Sequence, residues 1–284
     1  MRGRRALHRL IGEIDFGEGP RWRDDRLWYS DFHQHAVYSV GADGARRTEV
    51  ADLDDRPSGL GWLPDGTMLV VGMTRHQVLR VVDGVPTLHA DLAPLANGCC
   101  NDMVVDATGN AYVGTFGFDL DAGEPFALAE IILVRPDGSA AVAADGMHFP
   151  NGAVITPAGD QLIVGETFGG QYLAFPIEHH GTLGERRVWA PVPGMAPDGC
   201  TLDVDGAIWF ADAMGNQVVR VKEGGEIDEV ISTPMPAFAC MLGGADGTTL
   251  FVLCAPGSAP ADVGGRGLGQ IFTVEVDRPH AGRP

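Results

Sequence analysis

Four residues of this chain, Glu18, Asn101, Asn151 and Asp198, carry side-chain oxygens and occupy one position of a recurring pattern. Asn101, Asn151 and Asp198 each lie eight residues before a turn glycine (Gly109, Gly159 and Gly206), and Glu18 lies eight before Arg26, its counterpart after an Asp24-Asp25 turn. Two carboxylates and two amides brought to one point supply hard oxygen donors and a double negative charge. Carboxylates that converge with no Lys or Arg among them repel, and a cation resolves the conflict. One divalent ion is therefore expected. Ca2+ suits the set best and Mg2+, Mn2+ or Zn2+ are possible, but a Cys/His zinc site is disfavoured because neither residue stands among the four. A preference of Asn and Asp for turns would explain one such residue, not four at the same repeat position.

The elements that must position them follow from the repeat. Five segments share an apolar run, a tight Gly turn and a second apolar run: SGLGWLPDGTMLVVG from Ser58, NDMVVDATGNAYVG from Asn101, NGAVITPAGDQLIVG from Asn151, DGCTLDVDGAIWFA from Asp198 and ACMLGGADGTTLFVL from Ala239. A sixth, EGPRWRDDRLWYS from Glu18, fits the same frame. Turns of this type between short runs rich in branched and aromatic residues signal β-hairpins. A third run follows in five of them: QVLRVV (77–82), EIILVR (130–135), QYLAFPI (171–177), QVVRV (217–221) and QIFTVEV (270–276). A period of roughly 40 to 50 residues is that of a four-stranded propeller blade. The expected fold is all-β, a six-bladed β-propeller with four-stranded blades, filling residues 1–284 as a single domain. ALHRLIGEI (6–14) precedes the first hairpin and is expected to add the outer strand of the last blade and close the ring.

Equivalent positions of successive blades must then encircle the axis: Glu18, Ser58, Asn101, Asn151, Asp198 and Ala239 at the start of the innermost strands, at one mouth of the channel. The second strands return to the same mouth at Asp31, Met73, Thr115, Glu166, Asp212 and Cys254. The acids among these are candidate orienters of the ion site or acid/base groups. Cys99 and Cys100 flank Asn101, as pocket-lining thiols or a vicinal disulfide, and His148 is a candidate proton carrier. Around the ring the residues are apolar: Phe116, Phe118, Met147, Phe149, Phe168, Met214 and Phe238. The candidate substrate contacts are Cys99, Cys100, Phe116, His148, Phe149, Glu166 and Asp212.

Composition narrows the classes. A net charge of −18 opposes binding to nucleic acid, which needs clustered Lys and Arg. No apolar run reaches the roughly 20 residues of a membrane span, so no membrane association is expected. Five cysteines with no CxxC pair indicate neither a zinc knuckle nor a disulfide framework. Met1 to Arg9 carries Arg2, Arg4, Arg5 and Arg9 without the apolar stretch of a signal peptide, so a cytoplasmic location is expected. Oligomeric state is left open.

GEGPRW (17–22), NDMVVDATGNAYVGT (101–115), FPNGAVITPAGDQLIV (149–164) and APDGCTLDVDGAIWFAD (196–212) together resemble the signature stretches of the SMP-30/gluconolactonase/luciferin-regenerating-enzyme family, in order and across nearly the whole chain. The resemblance implies a six-bladed propeller with a central divalent metal, and lactone hydrolysis as the commonest activity, with phosphotriesterase activity in relatives. The family's metal ligands fall on Glu18, Asn101, Asn151 and Asp198. Sugar-lactone members carry an Arg two positions before the first Asn, where this chain has Cys99. With apolar surroundings as well, the expected substrate is a small lactone or ester less polar than a sugar lactone, since buried hydroxyls need partners. In the expected mechanism the ion polarises the carbonyl, Glu18, Asn101 and Asn151 hold the ion, and Asp198 serves as base or nucleophile. The alternatives are a non-catalytic ligand-binding propeller, or phosphotriester, other carbonyl or ether chemistry at the same ion.

Overall fold

The structure is a computed structural model and describes residues 5–284. Arg2 and Arg4 of the basic N-terminal stretch lie outside the described residues. Six antiparallel four-stranded sheets form the blades of a β-propeller. From the axis outward, blade 1 runs Gly17–Arg23, Arg26–Asp31, Ala36–Val40 and Arg46–Val50; blade 2 runs Pro57–Trp62, Met68–Gly72, Gln77–Val82 and Val85–Asp91. Blade 3 is Cys100–Val105, Ala111–Thr115, Ala129–Val134 and Ala140–Met147; blade 4 is Pro150–Ile155, Gln161–Glu166, Gln171–Pro176 and Arg187–Pro191. Blade 5 is Pro197–Leu202, Ile208–Asp212, Gln217–Val221 and Ile227–Ser232. Blade 6 takes Ala237–Gly243, Thr249–Cys254 and Gly269–Glu275 from the end of the chain, and its outer strand, His8–Ile14, from the beginning. The ring closes through that strand, as expected from the sequence. No helix among the described residues is long and apolar enough to cross a membrane.

The hydrophobic pattern explains the radial order. Apart from the polar residues at and beside the ring position, the inner strands are mostly apolar or small, and Cys100–Val105, Pro150–Ile155 and Pro197–Leu202 are buried throughout. The outer strand of blade 1, RRTEV, is mostly exposed. A strand buried on both faces tolerates no alternation, whereas a peripheral one can face water. The core lies between blades: Leu69, Val71, Val78 and Ala90 of blade 2 pack against Met103, Val113, Ile132 and Val134 of blade 3. No blade buries its faces alone, so each depends on its two neighbours.

The hairpin turns have the predicted chemistry. Gly66, Gly109, Gly159, Gly206 and Gly247 have φ of 88°, 91°, 74°, 77° and 70°, a conformation glycine adopts without steric cost. In blade 1, Asp24 and Asp25 take left-handed φ of 52° and 57°, as a two-residue hairpin turn requires.

Candidate active site at the channel mouth

In every blade the pairing between the inner and second strands slips near the ring position: between Glu18 and Arg21, Pro57 and Leu60, Cys100 and Met103, Pro150 and Ala153, Pro197 and Cys200, and Ala237 and Ala239. The residue after the ring position is glycine in four blades, and neighbouring inner strands press against it. A Cβ on Gly59 would lie 2.4 Å from Met103 N, one on Gly152 2.3 Å from Asp198 O, and one on Gly199 2.6 Å from Ala239 Cβ. The bulge re-aims the ring residue and the missing side chain lets the strands meet at the axis.

Glu18, Asn101, Asn151 and Asp198 are all at least nine-tenths buried. Among the described residues Glu18 Oε2 accepts only its neighbour's Gly19 N–H at 3.1 Å, and Asp198 Oδ1 accepts Gly199 N–H at 2.9 Å. Asn101 Nδ2 donates to Pro150 O at 3.3 Å, and Asn151 Nδ2 donates to Thr167 Oγ1 at 3.2 Å, while that hydroxyl donates to Pro197 O at 2.7 Å. With both amide nitrogens committed to protein acceptors, each amide oxygen is left as the donor atom for a ligand. Burial pushes the Glu18 carboxyl well above the usual carboxylate range, and the neighbouring Asp198 and Asp102 carboxylates push it further. Burial likewise raises Asp198, and the Asp102 carboxylate adds to it, against the opposing pull of the Gly199 N–H and a hydrogen bond from the Asn151 side chain. Two buried acids with no hydrogen-bonded cation among the described residues, beside two amides, fit a hard divalent cation. Among the described residues no group of three or more His, Cys, Asp or Glu could hold a metal, consistent with a donor set half made of amides.

Deeper in the channel lies a pair that the sequence reading missed. Arg21, buried, donates from Nη2 to Asp102 Oδ1 at 2.6 Å and to Met103 O, from Nε to Leu60 O at 2.9 Å and from Nη1 to Pro20 O at 2.8 Å. It thus spans blades 1, 2 and 3 beneath the ring. The signal was available: Asp102 stands where four other blades have glycine. Its charge is matched by Arg21, so Arg21 does not neutralise Glu18 and Asp198 by hydrogen bonding.

Above the ring, Phe16, Phe32, Met73, Phe238, Ala255 and Val263 form one apolar cluster, with Cys99, Phe116 and Ala213 packed against it. Cys99 is half-buried there, its thiol pushed up to about 11 by burial. Phe116 stacks on Phe149 with centroids 4.3 Å apart. His148 is half exposed, stacked on Phe126 at 5.7 Å and with Nδ1 3.6 Å from Glu166 Oε1. These four line or border the mouth.

Three of the residues expected to touch substrate are placed otherwise. Cys100 is fully buried in the core between blades 2 and 3, because adjacent strand residues point to opposite faces and Cys99 takes the mouth side. Glu166, buried, accepts His148 N–H at 2.8 Å and Gln171 Nε2–H at 2.7 Å; Asp212, buried, accepts Ala196 N–H at 3.0 Å and Gln217 Nε2–H at 2.8 Å. Asp31 does the same for Asp15 and Phe16 N–H at 2.8 and 3.2 Å. Each carboxylate ties the end of a second strand to the loop that leads into its own blade's inner strand, fixing the ring from outside it. Met147 also lies in the core, between blades 3 and 4, not at the mouth. Cys99 and Cys100 are free thiols.

Arg56 was also missed. It holds the same repeat position as Cys99, two before the ring residue, one blade earlier. Its guanidinium forms an ion pair with Asp121. Asp121 belongs to the loop 116–128, which joins the second and third strands of blade 3 on the mouth side. The corresponding connections in blades 1, 2, 4 and 5 have four residues; in blade 6, opposite blade 3, residues 255–268 make the other long one.

The family model described as SMP-30/Gluconolactonase/LRE-like region matches residues 16–256. The pentonolactonase XacC of Haloferax volcanii is 29% identical over 94% of this chain and 92% of its own length. The structure of regucalcin from Agrobacterium tumefaciens, described as a calcium-binding protein, superposes with a TM-score of 0.82 at 21% identity, covering 99% of this chain and 97% of that one. A gluconolactonase from Xanthomonas campestris superposes with a TM-score of 0.78 at 24% identity, covering 97% of this chain and 90% of its own.

Proposed function

Because the chain belongs to the SMP-30/gluconolactonase/LRE-like family, we propose that it is a lactonase, a hydrolase that opens a small lactone at a divalent cation held by Glu18, Asn101, Asn151 and Asp198. The observation that carries this reading is the buried Glu18–Asp198 pair, which no cation among the described residues neutralises by hydrogen bonding and which shares its repeat position with Asn101 and Asn151, whose amide nitrogens are bound to protein acceptors. Ca2+ is the ion the oxygen-only donor set favours. When bound, it would supply Lewis-acid polarisation of the lactone carbonyl and stabilise the tetrahedral oxyanion.

The chain's own residues do the rest. Asp198 accepts the proton of the attacking water at the carboxylate oxygen that Gly199 N–H does not engage, and returns it to the ring oxygen as the C–O bond breaks. Glu18 holds the ion and keeps the second negative charge in place. Asn101 and Asn151 are fixed in orientation by the carbonyl of Pro150 and the hydroxyl of Thr167. The apolar cluster on the mouth side would limit the water around the reacting carbonyl.

The substrate is less polar than a sugar lactone. Named relatives act on pentonolactone or gluconolactone, but here Phe16, Phe32, Met73, Phe116 and Phe238 surround the approach and Cys99 offers little to a hydroxyl. Each sugar hydroxyl buried without a partner would cost about 1–3 kcal/mol. The five free thiols accord with a reducing compartment.

The test is a panel of γ- and δ-lactones, a pentonolactone, aryl esters and a phosphotriester, assayed with EDTA and with Ca2+ add-back. EDTA-sensitive opening of lactones supports the reading. Turnover of the phosphotriester alone, or ligand binding without any EDTA-sensitive turnover, refutes it.

A further inference from the structure

The most exposed aromatic surface of the described residues is contiguous with this mouth. Phe126 and Phe168 are each about half exposed, at 48% and 49%. They meet edge to face at 6.0 Å, and Phe118 lies 5.8 Å from Phe126 and 6.2 Å from Phe168. Phe149 floors the group, 5.0 Å from Phe168 and 4.3 Å from Phe116. Leu120 and Leu128, both exposed, continue the same loop.

The link to the ion site is short in structure and in sequence. Phe149 lies two residues before Asn151, and Phe168 follows Thr167, whose hydroxyl orients the Asn151 amide. Phe149 also has φ of 64°, a left-handed conformation that costs a bulky residue about 1–3 kcal/mol. Phe16, Arg56, Cys99, Ala196 and Ala237, at the equivalent position of the other blades, do not adopt it. Strain confined to one blade aims one ring at the mouth.

From this placement we infer that Phe118, Phe126, Phe149 and Phe168 form a subsite for an n-alkyl substituent carried on the lactone ring. The inference rests on lactone hydrolysis and names the substrate class within it: alkyl-substituted lactones. Contiguous exposed apolar surface marks a binding site. The chain's charge of −18 and the acids Asp119 and Glu124 on the same loop oppose a second copy and an anionic lipid surface alike, whereas an uncharged alkyl chain meets no repulsion. The phenyl rings offer no partner to hydroxyls, so a polyol substituent would lose hydrogen bonds there.

The experiment measures kcat/KM for γ-lactones whose ring substituent lengthens from methyl to octyl, in the wild type and in Phe126→Ser/Phe168→Ser, with a pentonolactone assayed alongside. The expected wild-type result is a rise of up to about fourfold per methylene until the subsite is full. In the double variant the increment falls below about twofold. A flat wild-type series overturns the subsite, as does an equal loss across all lengths in the double variant, which would mark a structural role. Turnover of the pentonolactone but of no alkyl lactone overturns it while leaving lactone hydrolysis standing; no EDTA-sensitive turnover of either removes both. Concentration-dependent dimerisation by light scattering that the double variant abolishes would reassign the surface to a second copy.

Discussion

Substituting Asp198 by Asn keeps an oxygen donor in the ring and removes a base. At saturating Ca2+, kcat is expected to fall about 10²- to 10⁴-fold, with bound ion still measurable by elemental analysis. Near-full turnover by an ion-loaded Asp198→Asn protein would sink the assignment. Protons give a second handle. Without a cation, the folded chain raises the Glu18 and Asp198 carboxyls, by burial first, so it holds protons that the unfolded chain releases above about pH 4. A raised folded pKa makes the contribution to stability fall as pH climbs from that point through the folded value. Cation binding removes the repulsion and competes with those protons. Calcium at a fixed concentration, 100 times its Kd at pH 8, should therefore raise Tm at that pH by roughly 4–5 °C, for a stabilisation of about 2.7 kcal/mol, and by clearly less at pH 5. Equal shifts at both pH values in calorimetry would contradict the site. The ring residues were legible because each sits at a fixed offset from its turn. Cys100 was misplaced because offset alone does not tell which face a neighbouring residue takes, and Arg21–Asp102 was missed because its partners are 81 residues apart.

At the scale of the elements, the glycines after the ring positions and the acids behind them hold the site together. Gly152→Ala puts a methyl group 2.3 Å from the Asp198 carbonyl, so it should cost about 3 kcal/mol in urea unfolding. Gly159→Ala, at an open turn with φ of 74°, should cost only about 1 kcal/mol. Equal costs would mean that the inner strands do not touch at the axis. Asp212→Ala removes the acceptor for Ala196 N–H and Gln217 and should destabilise by about 1–3 kcal/mol while kcat of the folded protein changes less than tenfold. A larger loss of kcat without loss of stability would return Asp212 to an acid/base role. The hairpins themselves were readable from the Gly and Asp-Asp turns. The function of the second-strand acids was not, since a carboxylate at a strand end looks the same whether it faces solvent or a backbone amide.

The whole molecule closes by exchanging its ends. His8–Ile14 pairs with Gly269–Glu275, and residues 279–283 cross the opposite face, where Val204 N–H donates to Pro279 O at 3.0 Å and Arg283 and Ile155 exchange backbone hydrogen bonds at 2.8 and 2.9 Å. A variant lacking residues 1–14 leaves the third strand of blade 6 as an open edge and uncovers the Leu10–Ile11–Ile14 packing. Its Tm should drop by more than about 10 °C, with aggregation seen by light scattering. Retention of the full-length Tm would show that blade 6 is stable with three strands. Closure also bears on the site, because the inner strand of blade 6, Ala237–Gly243, packs against the inner strands of blades 1 and 5 that carry Glu18 and Asp198.

The amino-acid sequence by itself determined the blade count, the turns, the strand that closes the ring and the ring position that Glu18, Asn101, Asn151 and Asp198 share, because a repeat writes periodicity and offset directly into the chain. Tertiary structure alone decided which of the surrounding residues face the mouth. Cys99 and Cys100 part to opposite faces, Glu166 and Asp212 turn to backbone amides, and Phe126 and Phe168 stay in water beside the ring. These outcomes depend on pairing register and on loop packing between blades, which are fixed by contacts remote in sequence and leave no local period to read.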